Sequence, residues 1–209
     1  MADGGHGHGH CADEHDHDDD PERGRQFSLY TKINKDMVEC LNEIIDGSGK
    51  EVFKPWDQRL NKDKVVESDA DEELLFNIPF TGNVKLKGII VIGGEHDYHP
   101  AEMRLYKNQV HMTFDDTRGE PEQTFEMQPD ATGRMEYCTK IAKFSSVHHL
   151  SIHFPRNFGA DTTKVYYIGL RGEFSEAQRQ EVVITAYEAY PNPSDHKTNL
   201  MDQTRQEIS

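Results

Sequence analysis

Long apolar runs are missing from this chain of 209 residues. No stretch approaches the roughly 20 consecutive apolar residues that cross a bilayer as a helix. No apolar region follows Met1 either, so neither a membrane span nor a secretory signal is expected. Cysteine is scarce: Cys11, Cys40 and Cys138 are three, widely spaced and without a CxxC pair. That pattern argues against a disulfide framework and for a reducing compartment, the cytosol with the nucleus as a second location. No GxSxG, HExxH, Walker loop or GxGxxG is present. Ser194, Asp195 and His196 are consecutive, and adjacent residues cannot form a nucleophile–base relay among themselves. A protein that catalyses nothing by itself is therefore expected.

Positive charge is also short. Lys and Arg number 23 against 38 Asp and Glu, a formal net charge of −15. Eight of the acids fall in residues 1–22, which hold no Lys or Arg, and removing their eight charges leaves −7 for the remainder. A negative surface repels phosphate backbones and anionic lipid, so neither direct nucleic-acid binding nor membrane binding is expected. Mean hydropathy is −0.83, which predicts long polar loops and polar ends beside a core of ordinary size.

What is present divides the chain into three parts. Residues 1–26 are Gly/His-rich, then Asp/His-rich, and lack the apolar residues that offset ordering entropy; a disordered tail is expected. Residues 27–190 carry the foldable pattern, and 191–209 read as a polar C-terminal tail. Ile33, Met37, Val38, Leu41, Ile44 and Ile45 recur near a helical period, with Asn34 as a cap and Gly47-Ser48-Gly49 as a stop. This predicts one short N-terminal helix.

From residue 65 the period becomes that of strands. Leu74–Ile78, Val84–Ile92, the segment around Met103 and Leu105, Thr124–Met127, Leu150–Phe154, Val165–Leu170 and Val182–Tyr187 are the candidates. Turn signals such as Thr81-Gly82-Asn83 and Asn157-Phe158-Gly159 separate them. Many short strands with polar connections and no β-α alternation predict an all-β, antiparallel sandwich of jelly-roll type.

Four groups of residues can carry chemistry. His6, His8, His10, Cys11, His15 and His17 place imidazoles and a thiol on one polar segment, suited to weak binding of zinc, copper or nickel. No other cofactor is implied. His148, His149 and His153 form a second cluster, yet His149 and His153 on one strand face lie roughly 13 Å apart, too far to share an ion. His96, Asp97, His99 and Glu102 follow Gly93-Gly94 without the spacing of a metal motif, and a solvated loop is the simpler reading. The acidic run Glu67–Glu73 leads directly into Leu74-Leu75-Phe76, either a charge that guards a hydrophobic strand or a recognition loop for a basic partner. Trp56, the single tryptophan, reads as a core plug or a binding anchor.

Several blocks resemble the PITH domain, the proteasome-interacting thioredoxin domain. They are Val52-Phe53-Lys54-Pro55-Trp56, Glu67–Leu75, Ile78-Pro79-Phe80, Val84–Ile89 and Phe158 through Glu173, in that order. The resemblance implies a galactose-binding-like jelly roll, a cytosolic or nuclear location and association with the 26S proteasome. It does not carry thiol–disulfide chemistry here, because no CxxC and no thioredoxin region precede the matched blocks. It points to Asp69, Asp71, Glu72, Asp161 and Arg171 as rim residues for a protein partner. The expected function is a non-catalytic adaptor, monomeric on its own. The alternatives are a metal-linked regulator acting through the His-rich tail and a ligand-binding sandwich.

Overall fold

The computed structural model describes residues 27–176. The strand expected at Val182–Tyr187, the Ser194–His196 run and the C-terminal tail lie outside them. Among the described residues eight strands form in chain order: β1 (Glu39–Leu41), β2 (Val66–Glu67), β3 (Leu74–Gly93), β4 (Glu102–Lys107), β5 (Gln123–Glu126), β6 (Glu136–Cys138), β7 (Val147–Phe154) and β8 (Lys164–Ser175). Every pairing is antiparallel.

β3 spans 20 residues and belongs to two layers. Its first part, up to Pro79, pairs with β1 on one side and β7 on the other, and β4 and β5 extend that layer. Its second part, from Asn83, pairs with β8 and β6, and β2 extends the second layer beyond β8. Leu74, Phe76 and Ile78 of β3 face inward opposite Phe154, Ile152 and Leu150 of β7. Met103 and Leu105 of β4 and Val165, Ile168 and Leu170 of β8 complete the core. Phe53, Phe76 and Phe154 stack edge to face in series, with centroids 6.1 and 6.0 Å apart. Each such side chain contributes about 1.5–3 kcal/mol on burial, and Phe76→Ala would cost about 3–5 kcal/mol.

The alternation that gives way to a continuous apolar run along β3 has a structural cause. The register with β8 shifts between Leu86 and Gly88. Even-numbered residues point into the core up to Leu86; from there Ile89 and Val91 do so. Ile90 and Ile92 are thus turned to the outer face of the second layer, where they pack with Tyr167, Trp56 and Tyr166. A second shift between Ile92 and Gly93 leaves Tyr166 as an extra residue in β8. Trp56 is half-buried there, its ring 6.3 Å from that of Tyr167 and capped by Arg59 at 3.9 Å. It plugs an outer face, not the main core.

The predicted helix over residues 33–45 is not formed. Tyr30–Lys32 and Lys35–Met37 are single 3₁₀ turns, and Glu39–Leu41 is strand β1. Leu29, Ile33 and Val38 reach the core, but Met37, Ile44 and Ile45 are exposed. The segment instead lies along β3: Asn34 N donates to the Pro79 carbonyl at 2.9 Å, and Ile33 bridges Phe80. A helix would bury the same few apolar residues but leave that edge of β3 unpaired. The α-helix among the described residues is α1 (Ser48–Glu51), held by Glu43, which accepts bonds from Ser48 Oγ and Gly49 N at 3.0 and 2.6 Å. Among the described residues no helix is long and apolar enough to cross a membrane.

Candidate functional site at one end of the sandwich

Three connections meet at one end of the fold: the turn after β1 (42–47), the loop between β2 and β3 (68–73) and the loop between β7 and β8 (155–163). Asn42 organises the first two. Its φ of 69° is left-handed, a conformation that asparagine tolerates better than most residues. Its side-chain amide donates to the Asp71 carboxylate at 2.8 Å and to the Glu73 carbonyl at 2.7 Å, and its oxygen accepts from Ala70 N at 3.0 Å. Asn157 does the same for the third loop, donating to the Ala160 and Thr162 carbonyls at 2.9 and 3.0 Å and accepting from Gly159 N at 2.8 Å. Buried Ser68 and Thr163 clasp the loops together. Thr163 N donates to Ser68 Oγ at 2.8 Å, and Thr163 Oγ1 donates to the Glu72 carbonyl at 2.6 Å.

The backbone of these loops is fixed, and most of their carboxylates are not. Asp69, Asp71 and Asp161 are exposed and Glu72 is half-buried. No Lys, Arg or His forms an ion pair with any of the four among the described residues. Glu67, by contrast, is neutralised by Lys164 at 3.2 Å. Partial burial, followed by the charges of Asp71 and Glu72, raises the Glu73 carboxyl above the usual range. Burial is the larger cause, and the like charges of Asp71 and Glu72 add to it. Ile44 and Ile45, 51% and 68% exposed, flank it, with Ile44 N bonded to the Glu67 carbonyl at 2.9 Å. Phe158 is exposed on the β7–β8 loop.

Asp69, Asp71, Glu72 and Asp161 are therefore brought to one end, as the sequence implied. Arg171 is not. It lies seven residues beyond Lys164 on β8, about 23 Å along the strand. There it pairs with the Glu136 carboxylate and is only 15% exposed. Gly88 makes room for that pair, since a Cβ at residue 88 would meet the Glu136 carboxylate at 2.0 Å. Arg171 ties β8 to β6 across β3 and is not part of the rim.

The other clusters resolve differently. His99 is buried, its Nδ1 donating to the Pro100 carbonyl at 2.7 Å, while His96 sits exposed on a 3₁₀ turn. Glu102 is bound by Arg104 at 2.6 Å and Arg156 at 2.9 Å. Burial opposes ionisation there, but the two arginines hold its carboxyl below the usual range. The expected solvated loop is thus half interior. His149 and His153 share the outer face of the first layer, opposite Pro79 and Leu75. Among the described residues no group of three or more His, Cys, Asp or Glu can hold a metal ion. His6, His8, His10, Cys11, His15 and His17 lie outside them. Asn42 and Asn157 were missed in the sequence; the turn signal at Asn157-Phe158-Gly159 was the available hint, and Asn42 had none.

An antiparallel β-sandwich of galactose-binding-like type is the class this molecule belongs to. Among solved structures it resembles the CBM32-1 and CBM32-2 domains of Clostridium perfringens ZmpB in complex with GalNAc, with TM-score 0.52, 10% identity and coverage of 72% of this chain and 37% of that one. A family 89 glycoside hydrolase from the same organism gives TM-score 0.51 at 12% identity, over 72% of this chain and 15% of that one. These likenesses establish the fold alone. The sequence profile of the PITH domain matches residues 19–191. PITH domain-containing protein 1 of Mus musculus is 61% identical over 178 residues, 85% of this chain and 84% of that one. The Dictyostelium discoideum protein of the same name is 37% identical over 187 residues, 89% and 92% of the two chains. The chain belongs to the PITH domain family.

Proposed function

We propose that this protein is a non-catalytic adaptor that docks a basic, partly apolar segment of a partner on its acidic loop end, and that the partner is the 26S proteasome. The observation that supports the reading is the pairing of a rigid backbone with unneutralised carboxylates: loops fixed by Asn42, Asn157, Ser68 and Thr163, with Asp71 itself bonded to Asn42 and Glu73 N, present Asp69, Asp71, Glu72 and Asp161 without cationic partners among the described residues. A preorganised surface pays little entropy on binding, and an unpaired charge steers and selects an oppositely charged partner. Ile44, Ile45 and Phe158 supply apolar contact beside the charge. Membership of a family whose domain is named for the proteasome supports the choice of that partner. The reading places the protein in the cytosol and nucleus.

The test uses purified 26S proteasome and the full chain. Wild-type protein is expected to bind, with affinity falling as salt rises. The triple reversal Asp69→Lys, Glu72→Lys, Asp161→Lys should weaken binding at least about tenfold, a loss of about 1.4 kcal/mol, at unchanged Tm. Asp71 is left intact because its carboxylate holds Asn42 and Glu73 N. Absence of wild-type binding removes the proteasome; undiminished binding by the triple variant removes the acidic rim.

A further inference from the structure

The connection between β4 and β5 folds back over the outer face of the first layer. Asn77 Nδ2 donates to the Met112 carbonyl at 2.9 Å, and the Tyr106 hydroxyl donates to the Thr117 carbonyl at 2.9 Å. Met112 is buried against Leu75 and Tyr106, and Phe114 packs beside them. Residues 108–119 thus form a strap over an apolar face.

His153 lies beneath that strap. It is 2% exposed, and neither ring nitrogen has a hydrogen-bond partner. On the same face Ser151 Oγ donates to Asn77 Oδ1 at 2.9 Å, whereas His149 Nδ1 is also buried without a hydrogen-bond partner. The strap's Phe114 ring stands edge-on to the imidazole, centroids 6.1 Å apart. From β4, Arg104 is directly opposite, with Glu102 and Tyr106 two residues to either side. From the start of β3, Glu73 Oε1 is 4.0 Å from His153 Nε2. On β7 itself His149 shares the face, and His111 of the strap lies 3.0 Å from Glu39.

We propose that the 108–119 strap is an acid-released lid latched by neutral His153: a proton on this imidazole is accommodated only when the strap lifts. Closed, no acceptor lies within hydrogen-bond distance of either ring nitrogen, Glu73 Oε1 standing off at 4.0 Å, and the cation is set against Arg104. Lifting admits water and bares Leu75 and Tyr106. Burial first, then the Arg104 charge, lowers the folded-state pKa of His153 to about 4, with Glu102 pulling the other way. A lowered histidine pKa favours the closed form fully above the ordinary value near 6.5, and that preference is lost as pH falls towards about 4. Between pH 7 and pH 5 the opening constant should rise roughly twentyfold.

Amide hydrogen exchange on the full chain, corrected for the intrinsic pH dependence of exchange, reads this directly. In wild type, residues 108–119 should open roughly twentyfold more at pH 5 than at pH 7, while β3 and β8 amides do not change. His153→Leu, which needs no hydrogen-bond partner, should abolish the ratio. Phe114→Ala should open the strap at both pH values and shrink the ratio, because His153 regains water and ordinary basicity. Equal wild-type protection at the two pH values overturns the proposal, and so does a ratio that survives in His153→Leu. If His153→Leu fails to fold, an imidazole titration of wild type by NMR decides: His153 titrating near 6.5 with the strap closed overturns the lid.

Discussion

Two groups of carboxylates on this sandwich have opposite fates. Glu102 and Glu126, at the ends of β4 and β5, bind Arg104 and Arg156; Arg156 alone reaches Glu102 at 2.9 Å and Glu126 at 2.7 Å. Asp69, Asp71, Glu72 and Asp161 sit on loops tied down mainly through backbone and amide groups, Asp71 also bonding Asn42 and Glu73 N, and none of the four is neutralised by a cation among the described residues. The difference lies in what neutralises each acid. Where arginine does, the carboxylate holds strands together; where asparagine and threonine fix the chain, the carboxylate is left for something else. Abundance of acid therefore says nothing about function until the partner of each charge is known.

Removing Glu102 is the hardest test of this contrast. Glu102→Ala leaves the half-buried Arg104 and the exposed Arg156 without their shared acceptor, while Arg156 keeps Glu126, and losing these charge-assisted bonds to partly solvated arginines costs about 1.5–3 kcal/mol. Chemical denaturation should show a loss near that size, while the proposed proteasome binding, measured on the folded fraction, stays at the wild-type level. A loss below about 0.5 kcal/mol, the scale of an ordinary surface change, would erase the distinction between the two groups.

Asn42→Ala comes next. It removes four side-chain hydrogen bonds and puts a residue with a Cβ but no compensating polar group at φ 69°. The expected cost is about 1–2 kcal/mol. Binding should fall as well, because Asp69, Asp71 and Glu72 lose their fixed positions. Asn42→Gly separates the two contributions: it accepts the left-handed backbone, so stability should partly recover while binding does not. Recovery of both would mean that the side chain of Asn42 does not position the acids.

The extent to which this was legible in the sequence follows the same physics. The strands of β3, β7 and β8 could be read because inward and outward residues alternate along them, and the register shift at Leu86–Gly88 is visible in hindsight as the point where alternation fails. Residues 33–45 misled because a short apolar set fits a 3.6-residue period by chance, and the deciding factor was the open edge of β3, some 35 residues further on. The acids of the rim could be found as a run, but Arg171 was grouped with them because it stands in a matching block, and its Glu136 partner could not be foreseen. His153 showed only as one of several histidines. Its burial comes from a strap whose contact residues, Met112 and Phe114, carry no pattern of their own.

The smallest effect sharpens the comparison most finely. Glu73 belongs to the acidic run but is partly buried, and burial together with Asp71 and Glu72 raises its pKa above that of an exposed glutamate. An acid with a raised folded-state pKa destabilises the fold at pH values above it, and the penalty disappears as pH falls through the folded value towards the unfolded one and below. Glu73→Gln should therefore raise Tm slightly at pH 7, by a degree or two on the scale of a change well under 1 kcal/mol, and leave it unchanged near pH 3, where the native carboxyl is already neutral. The corresponding change at Glu102, Glu102→Gln, should have the opposite sign at pH 7, because its carboxylate is stabilised in the fold by Arg104 and Arg156. If Glu73→Gln lowered Tm at pH 7 as Glu102→Gln does, Glu73 would be structural after all, stabilised by the fold as Glu102 is.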